Sequence, residues 1–218
     1  MNEPLTLYGA KGSGAVAIEA ALTLIGLPYR VIDSFDWSGD PSDGEKVLAA
    51  NPLRQVPALV LPSGEILTES AAILVWLAEQ HPQARLAPPP GSPGRAQFLR
   101  WMAYVSSAIY SLYWVKDEPA RLAPDPAAQP ALVERTHDRI ADCWRMMGEQ
   151  VTPAAYILGD ELSVLDLYVA VVSRFKPRRK RLYAVAPKLE GPVRRVDADP
   201  LLQILWAERM PFIEGWEG

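Results

Sequence analysis

The chain has 218 residues, 49% of them hydrophobic and 22% charged, with a formal net charge of −4, an ordinary globular balance that can bury a large core in one big domain or two small ones. The acidic total supplies no positive field to draw in phosphate, so a small-molecule partner is expected rather than nucleic acid. A single cysteine, Cys143, excludes an intrachain disulfide and any multi-cysteine metal site.

Leu5-Thr6-Leu7-Tyr8 alternates as a first strand and runs into Gly9-Ala10-Lys11-Gly12-Ser13-Gly14, a turn with three glycines. Helix formers follow from Ala15 to Ile25, with Gly26 where a C-terminal stop belongs. Tyr29–Ile32 reads as a second strand, closing a β-α-β unit over residues 5–33. Gly12-Ser13-Gly14-Ala15-Val16-Ala17 also satisfies the dinucleotide pattern G-x-G-x-x-A, with Asp33 about 20 residues on. A Rossmann half needs a further crossover helix and a parallel third strand, which the next elements do not offer.

Those elements begin with Asn51-Pro52-Leu53-Arg54-Gln55-Val56-Pro57. Proline lacks a ladder donor, so Pro57 reads as the first residue of a strand. The turn Pro62-Ser63-Gly64 folds Ala58–Leu61 onto Glu65–Leu67 as an antiparallel hairpin. Thr68-Glu69-Ser70 opens a helix with its buried stripe at Ile73, Leu74 and Leu77, and Thr68 or Ser70 is the expected cap. The proline- and glycine-rich run from His81 to Gly94 reads as a linker.

Beyond the linker the signal is helical. Phe98, Trp101, Met102, Val105, Ile109 and Leu112 follow one stripe, and Leu132, Ile140, Trp144 and Met147 another. Tyr104, Tyr110 and Trp114 fall off the first stripe, where they either line an apolar pocket or serve packing. Ser163-Val164-Leu165-Asp166 forms a local cap heading an apolar helix through Phe175. Cys143 is expected buried and inert, and His81 and His137 are expected on the surface without metal-ligand spacing. The basic run Arg174, Lys176 and Arg178–Arg181 reads as a solvated helix junction. No stretch of about 18 uninterrupted apolar residues suggests a membrane span. Met1–Pro4 lack the cationic start of a secretory leader, and a cytoplasmic location is expected.

Gln55-Val56-Pro57-Ala58-Leu59, with Glu69-Ser70 at the next helix start, resembles the glutathione-binding half of the glutathione transferase family. Tyr156–Asp160 followed by Ser163-x-x-Asp166 resembles that family's second-domain signature. The resemblance implies an α/β plus all-α fold: a thioredoxin-like domain over residues 1–82, a linker at 83–94 and an all-helical domain over 95–218. It also implies a cis peptide before Pro57, glutathione as co-substrate with no metal, a small hydrophobic electrophile as second substrate, and a homodimer. Glutathione contacts are implied at Ser13, Arg54, Gln55, Val56, Pro57, Glu69 and Ser70. Glu69 takes the γ-glutamyl ammonium, while the Ser70 hydroxyl and the helix N-terminus take its carboxylate. Ser13 is the leading thiol activator and Tyr8 the alternative, so Ser13→Ala is expected to lower turnover at least about tenfold. Glutathione-dependent isomerisation, disulfide reduction and non-catalytic ligand binding on the same site stay open.

Overall fold

The computed structural model describes residues 4–39 and 42–212. Four strands, β1 (Leu5–Gly9), β2 (Tyr29–Asp33), β3 (Ala58–Val60) and β4 (Ile66–Thr68), form one sheet in the order β2-β1-β3-β4. β1 and β2 run parallel, and β3 is antiparallel to both β1 and β4. That topology rules out a Rossmann half and is the thioredoxin-like arrangement.

Helix α1 (Ala15–Ile25) ends at Gly26, whose φ of 78° is the left-handed conformation a residue without a side chain adopts freely. α2 (Glu45–Leu48) is a single turn, and α3 (Ser70–Gln80) follows the hairpin. Among the described residues no side chain caps α3: neither Thr68 nor Ser70 accepts from its first amides, and Glu69 precedes it with φ 64° and ψ 106°. That correction has a local cause, because a backbone turned this way at Glu69 places Ser70 inside the helix.

The helical half begins with α4 (Arg95–Tyr104), a π-helical segment (Val105–Tyr110) and α5 (Ser111–Asp117). α6 (Gln129–Gln150), α7 (Val164–Val172), α8 (Arg178–Val185), α9 (Glu190–Asp197) and α10 (Gln203–Arg209) complete it. α7 opens with the expected capping box: Asp166 accepts from the Ser163 N–H at 2.9 Å and from the Ile157 N–H at 2.8 Å. It stops at Val172 rather than reaching Phe175. Beyond it Arg174 turns inward, and Pro177, after a cis bond, cannot continue a helix.

α1 lies against α3 and α7, so one continuous core joins the sheet to the helical half. Leu7, Ile18, Leu22, Phe98 and Tyr168 are fully buried in it. Truncating such a side chain costs about 2–5 kcal/mol, because the surroundings collapse only partly into the void.

The basic run is not a solvated junction throughout. Arg179 is fully buried and reaches Asp197 at 2.6 Å, and buried Arg174 reaches the same carboxylate at 2.9 Å. Burial holds the Arg174 guanidinium down at about 10, opposed by Asp197. His137 is also not a free surface residue; its Nε2 is buried without a partner among the described residues, and burial lowers its pKa. Cys143 is buried, as expected.

Candidate functional site

The strand register gathers the site. Gly9 pairs with Asp33, Tyr8 with Ala58, and Ala58 with Thr68. Extending that register by one or two residues brings three segments to one end of the sheet. They are the Gly9–Gly14 turn, the Val56-Pro57 step and the Glu69-Ser70 step.

Val56-Pro57 is cis, and the Val56 backbone makes no hydrogen bond among the described residues. An unpaired backbone edge beside a strand is a template for an extended peptide. The loop leading to it is pinned by buried Asn51, which donates to the Gln55 carbonyl at 2.9 Å and accepts from the Leu53 N–H at 3.1 Å. Glu69 is exposed, whereas Ser70 is buried at the first turn of α3. Arg54 stands on the rim, its guanidinium held by Glu45 at 2.6 Å and the Asp43 carbonyl at 3.2 Å.

In the glycine turn, the Ser13 hydroxyl donates to the Ala10 carbonyl at 2.7 Å and accepts from the Ala15 N–H at 3.2 Å. Its one proton therefore holds the turn. The Tyr8 hydroxyl makes no hydrogen bond among the described residues, and the side chain does not pack into the core. Leu5, Leu7 and Gly9 face α1, with a Cβ on Gly9 meeting Ala15 at 3.1 Å. Strand alternation consequently sends Tyr8 to the opposite face of the sheet.

The far side of the turn is held by α10. The Gly12 N–H donates to the Arg209 carbonyl at 2.8 Å. The Arg209 guanidinium grips Asp33 at 2.7 and 3.0 Å and Glu19 at 2.8 Å. Burial pushes the Glu19 carboxyl up to about 7, and Arg209 opposes the rise. The Asp33 carboxyl is lowered chiefly by its hydrogen bonds from Arg209.

Tyr104, Tyr110 and Trp114, given either to a pocket wall or to packing, point in different directions. Tyr104 donates to the Cys143 carbonyl at 3.1 Å on the α6 side. Trp114 is partly exposed beneath the Arg121 guanidinium, 4.8 Å from its ring centroid. Tyr110 points the other way, into a cluster with Phe175 (stacked, centroids 5.7 Å apart), Tyr168 (6.0 Å) and Tyr113 (6.1 Å), and its hydroxyl meets Gly14. Behind Ser70, the buried Tyr168 phenol is pushed up to about 12 by burial, with Ser70 and Ser106 opposing. Its hydroxyl lies outside hydrogen-bond geometry to either.

Sequence reasoning missed Asn51, Trp37 and Arg209. Asn51-Pro52 is a turn signal that marks the loop. Trp37, 59% exposed and stacked on Phe35 at 5.3 Å, donates its indole N–H to the Lys11 carbonyl at 2.6 Å and so borders the same turn. Nothing local in the sequence signals Arg209, since its partners lie in the N-terminal half.

Comparison with known proteins agrees with this geometry. Residues 15–80 match the family described as glutathione S-transferase, N-terminal domain. The chain is 31% identical over 173 residues to the uncharacterised GST-like protein YncG of Escherichia coli K12, covering 79% of this chain and 82% of that one. It is 28% identical over 190 residues to glutathione S-transferase GstA of Escherichia coli O157:H7, covering 86% and 87%. A crystal structure of a glutathione transferase homologue from Sulfitobacter with bound glutathione superposes with a TM-score of 0.82 at 26% identity, over 95% of this chain and 99% of that one.

Proposed function

Because the chain belongs to the glutathione S-transferase family, we propose that it binds glutathione at the Val56–Glu69–Ser70 edge and activates the thiol for attack on a small hydrophobic electrophile. The observation that carries this reading is the unpaired Val56 backbone set beside an exposed carboxylate and the head of α3. A tripeptide pairs with the Val56 backbone; its γ-glutamyl ammonium meets Glu69, and its carboxylate meets the Ser70 hydroxyl and the α3 amides. Gln55, Pro57 and Arg54 shape the rim, and Ser13 lies under the cysteinyl sulfur.

A thiol of pKa about 8.5 is only a few per cent ionised at neutral pH, and lowering it by about two units takes about 2.7 kcal/mol of preference for the thiolate. A hydroxyl hydrogen bond to the anion supplies roughly 1.5–3 kcal/mol and a helix N-terminus roughly 0.3–1 more. One hydroxyl at the head of α1 therefore suffices. The sequence offers two candidates for that donor, Ser13, whose proton goes to the Ala10 carbonyl, and Tyr8. The thiol proton leaves to water, the sulfur lone pair forms the new C–S bond, and the leaving group departs with the electrons of the bond it breaks.

In this reading residues 1–82 hold glutathione, 83–94 link, and 95–218 supply the wall for the electrophile and the contacts of a cytoplasmic homodimer, in a detoxifying role. The test is conjugation of a reactive aryl halide, with retention on immobilised glutathione measured alongside. Turnover that requires glutathione supports the transferase. Retention without turnover assigns a binding protein, and loss of both removes the glutathione site.

A further inference from the structure

Resting on the glutathione reading, we propose that the Tyr110 hydroxyl, carried by the helical half to the head of α1, is the group that donates a hydrogen bond to the glutathione thiolate, leaving Ser13 to hold the turn.

Four hydroxyls are close enough in the fold to be weighed. Ser13 gives its proton to Ala10 at 2.7 Å. Tyr113 gives its own to the Val172 carbonyl at 3.5 Å, and Tyr8 lies on the sheet face away from α1. Tyr110 alone of the four combines the right place with an uncommitted proton: its hydroxyl donates to no described residue and faces the Gly14 backbone at the first turn of α1.

The fit at Gly14 is close. A Cβ built there would stand 2.6 Å from the ring carbon that bears the hydroxyl, and nearer still to the oxygen. A glycine at the N-cap of α1 thus makes room for a phenol from 96 residues away in the chain, where any other residue would exclude it. The ring cannot drift: Phe175 stacks on it and Tyr168 and Tyr113 meet it edge-on. A pre-positioned donor strengthens its bond to an anion because no reorganisation is needed when the charge forms. Burial pushes the phenol well above its ordinary range, with the Tyr168 phenol adding to the rise and the Gly14 N–H opposing it, so the hydroxyl keeps its proton across neutral pH and acts as donor, not base.

The experiment titrates the thiol of bound glutathione by its ultraviolet thiolate absorbance in the wild-type protein, Tyr110→Phe and Tyr113→Phe. Affinity for S-methylglutathione, which has no thiol, is measured in parallel. Phenylalanine keeps the stacked ring, and the thermal midpoint checks folding. In Tyr110→Phe the thiol pKa rises by about one unit and turnover at neutral pH falls about tenfold, while S-methylglutathione binds within about twofold of wild type. Tyr113→Phe leaves all three readings unchanged. A wild-type titration curve in Tyr110→Phe overturns the assignment to Tyr110 alone, as does Ser13→Ala abolishing the thiolate while Tyr110→Phe spares it. Absence of bound thiolate in the wild-type protein overturns the glutathione reading itself. Should Tyr110→Phe unfold, Gly14→Ala, which pushes the hydroxyl from the helix head, must raise the thiol pKa in the same way, and an unchanged pKa there overturns the proposal.

Discussion

The Arg209 guanidinium lies 2.8 Å from the Glu19 carboxylate, joining the last turn of α10 to the middle of α1 across 190 positions of sequence. Asp33 and Tyr29 on β2 face the same carboxyl, with Glu208 beside Arg209 and with Lys11 and Lys46 around Asp33. Burial raises Glu19 from an ordinary 4.5 to about 7. Between those values the folded protein holds a proton that the unfolded chain has released. The contribution of this carboxyl to stability is therefore complete below the lower value and is lost as the pH rises through the upper one. Arg209→Met removes the charge that eases ionisation, so its cost grows with pH. It is expected to lose about 3–5 kcal/mol under alkaline conditions and at least about 1 kcal/mol less under acidic ones. Denaturant unfolding at the two pH extremes checks this; an equal loss at both would show that Glu19 is not the partner that matters.

Gly14 has φ −62° and ψ −16°, a conformation that alanine adopts without strain. Gly14→Ala is nonetheless expected to destabilise by about 1–3 kcal/mol, because the methyl group enters the space of a ring that Phe175 holds in place. In a Tyr110→Ala background the same change should cost less than about 0.5 kcal/mol. Thermal unfolding of the four proteins in this cycle measures the coupling, and additive losses would mean that the two residues do not meet.

Glu69 keeps φ 64° and ψ 106°, a backbone region that side chains disfavour. Such a conformation at a ligand edge costs about 1 kcal/mol or more. Glu69→Gly should therefore raise the thermal midpoint by roughly 2–4 °C while weakening S-methylglutathione binding about tenfold, the equivalent of one charged hydrogen bond. Calorimetry reads both quantities. A variant that is no more stable, or that binds as well as wild type, would separate the strained backbone from the site.

Asp166 is buried and accepts from the Ser163 N–H, the Ser163 hydroxyl at 2.7 Å and the Ile157 N–H. Asp166→Ala strands these donors and should cost about 3 kcal/mol or more. Since Asp166 touches no part of the glutathione edge, binding of S-methylglutathione to the folded fraction should stay within about twofold of wild type.

Much of the fold was legible because its signals are local. The Gly26 stop, the Pro62-Ser63-Gly64 hairpin turn and the Ser163–Asp166 cap each lie within a few residues of the element they shape. The α3 cap was misread because backbone direction at Glu69 is not encoded in the hydroxyls on either side of it. The directions taken by the aromatics of the first long helix were not legible, for a geometric reason. The π-helical segment Val105–Tyr110 carries more residues per turn than an α-helix, so faces counted at a period of 3.6 rotate beyond it. Tyr113 is buried where Leu112 was expected, and Tyr110 turns to Gly14 while Tyr104 turns to α6. Arg174 and Arg179 resemble a solvated charge run only until Asp197, 23 and 18 residues away, draws them inside. The glutathione edge itself was readable as residue types, whereas the commitment of the Ser13 proton to Ala10 is visible only in three dimensions.

A crystal structure determined in the presence of millimolar glutathione decides whether the Val56 edge holds the tripeptide. The tripeptide is expected paired with the Val56 backbone, its γ-glutamyl end on Glu69 and Ser70, and its sulfur at the head of α1 beside Gly14. An empty Val56 edge, or glutathione bound elsewhere on the protein, would contradict it.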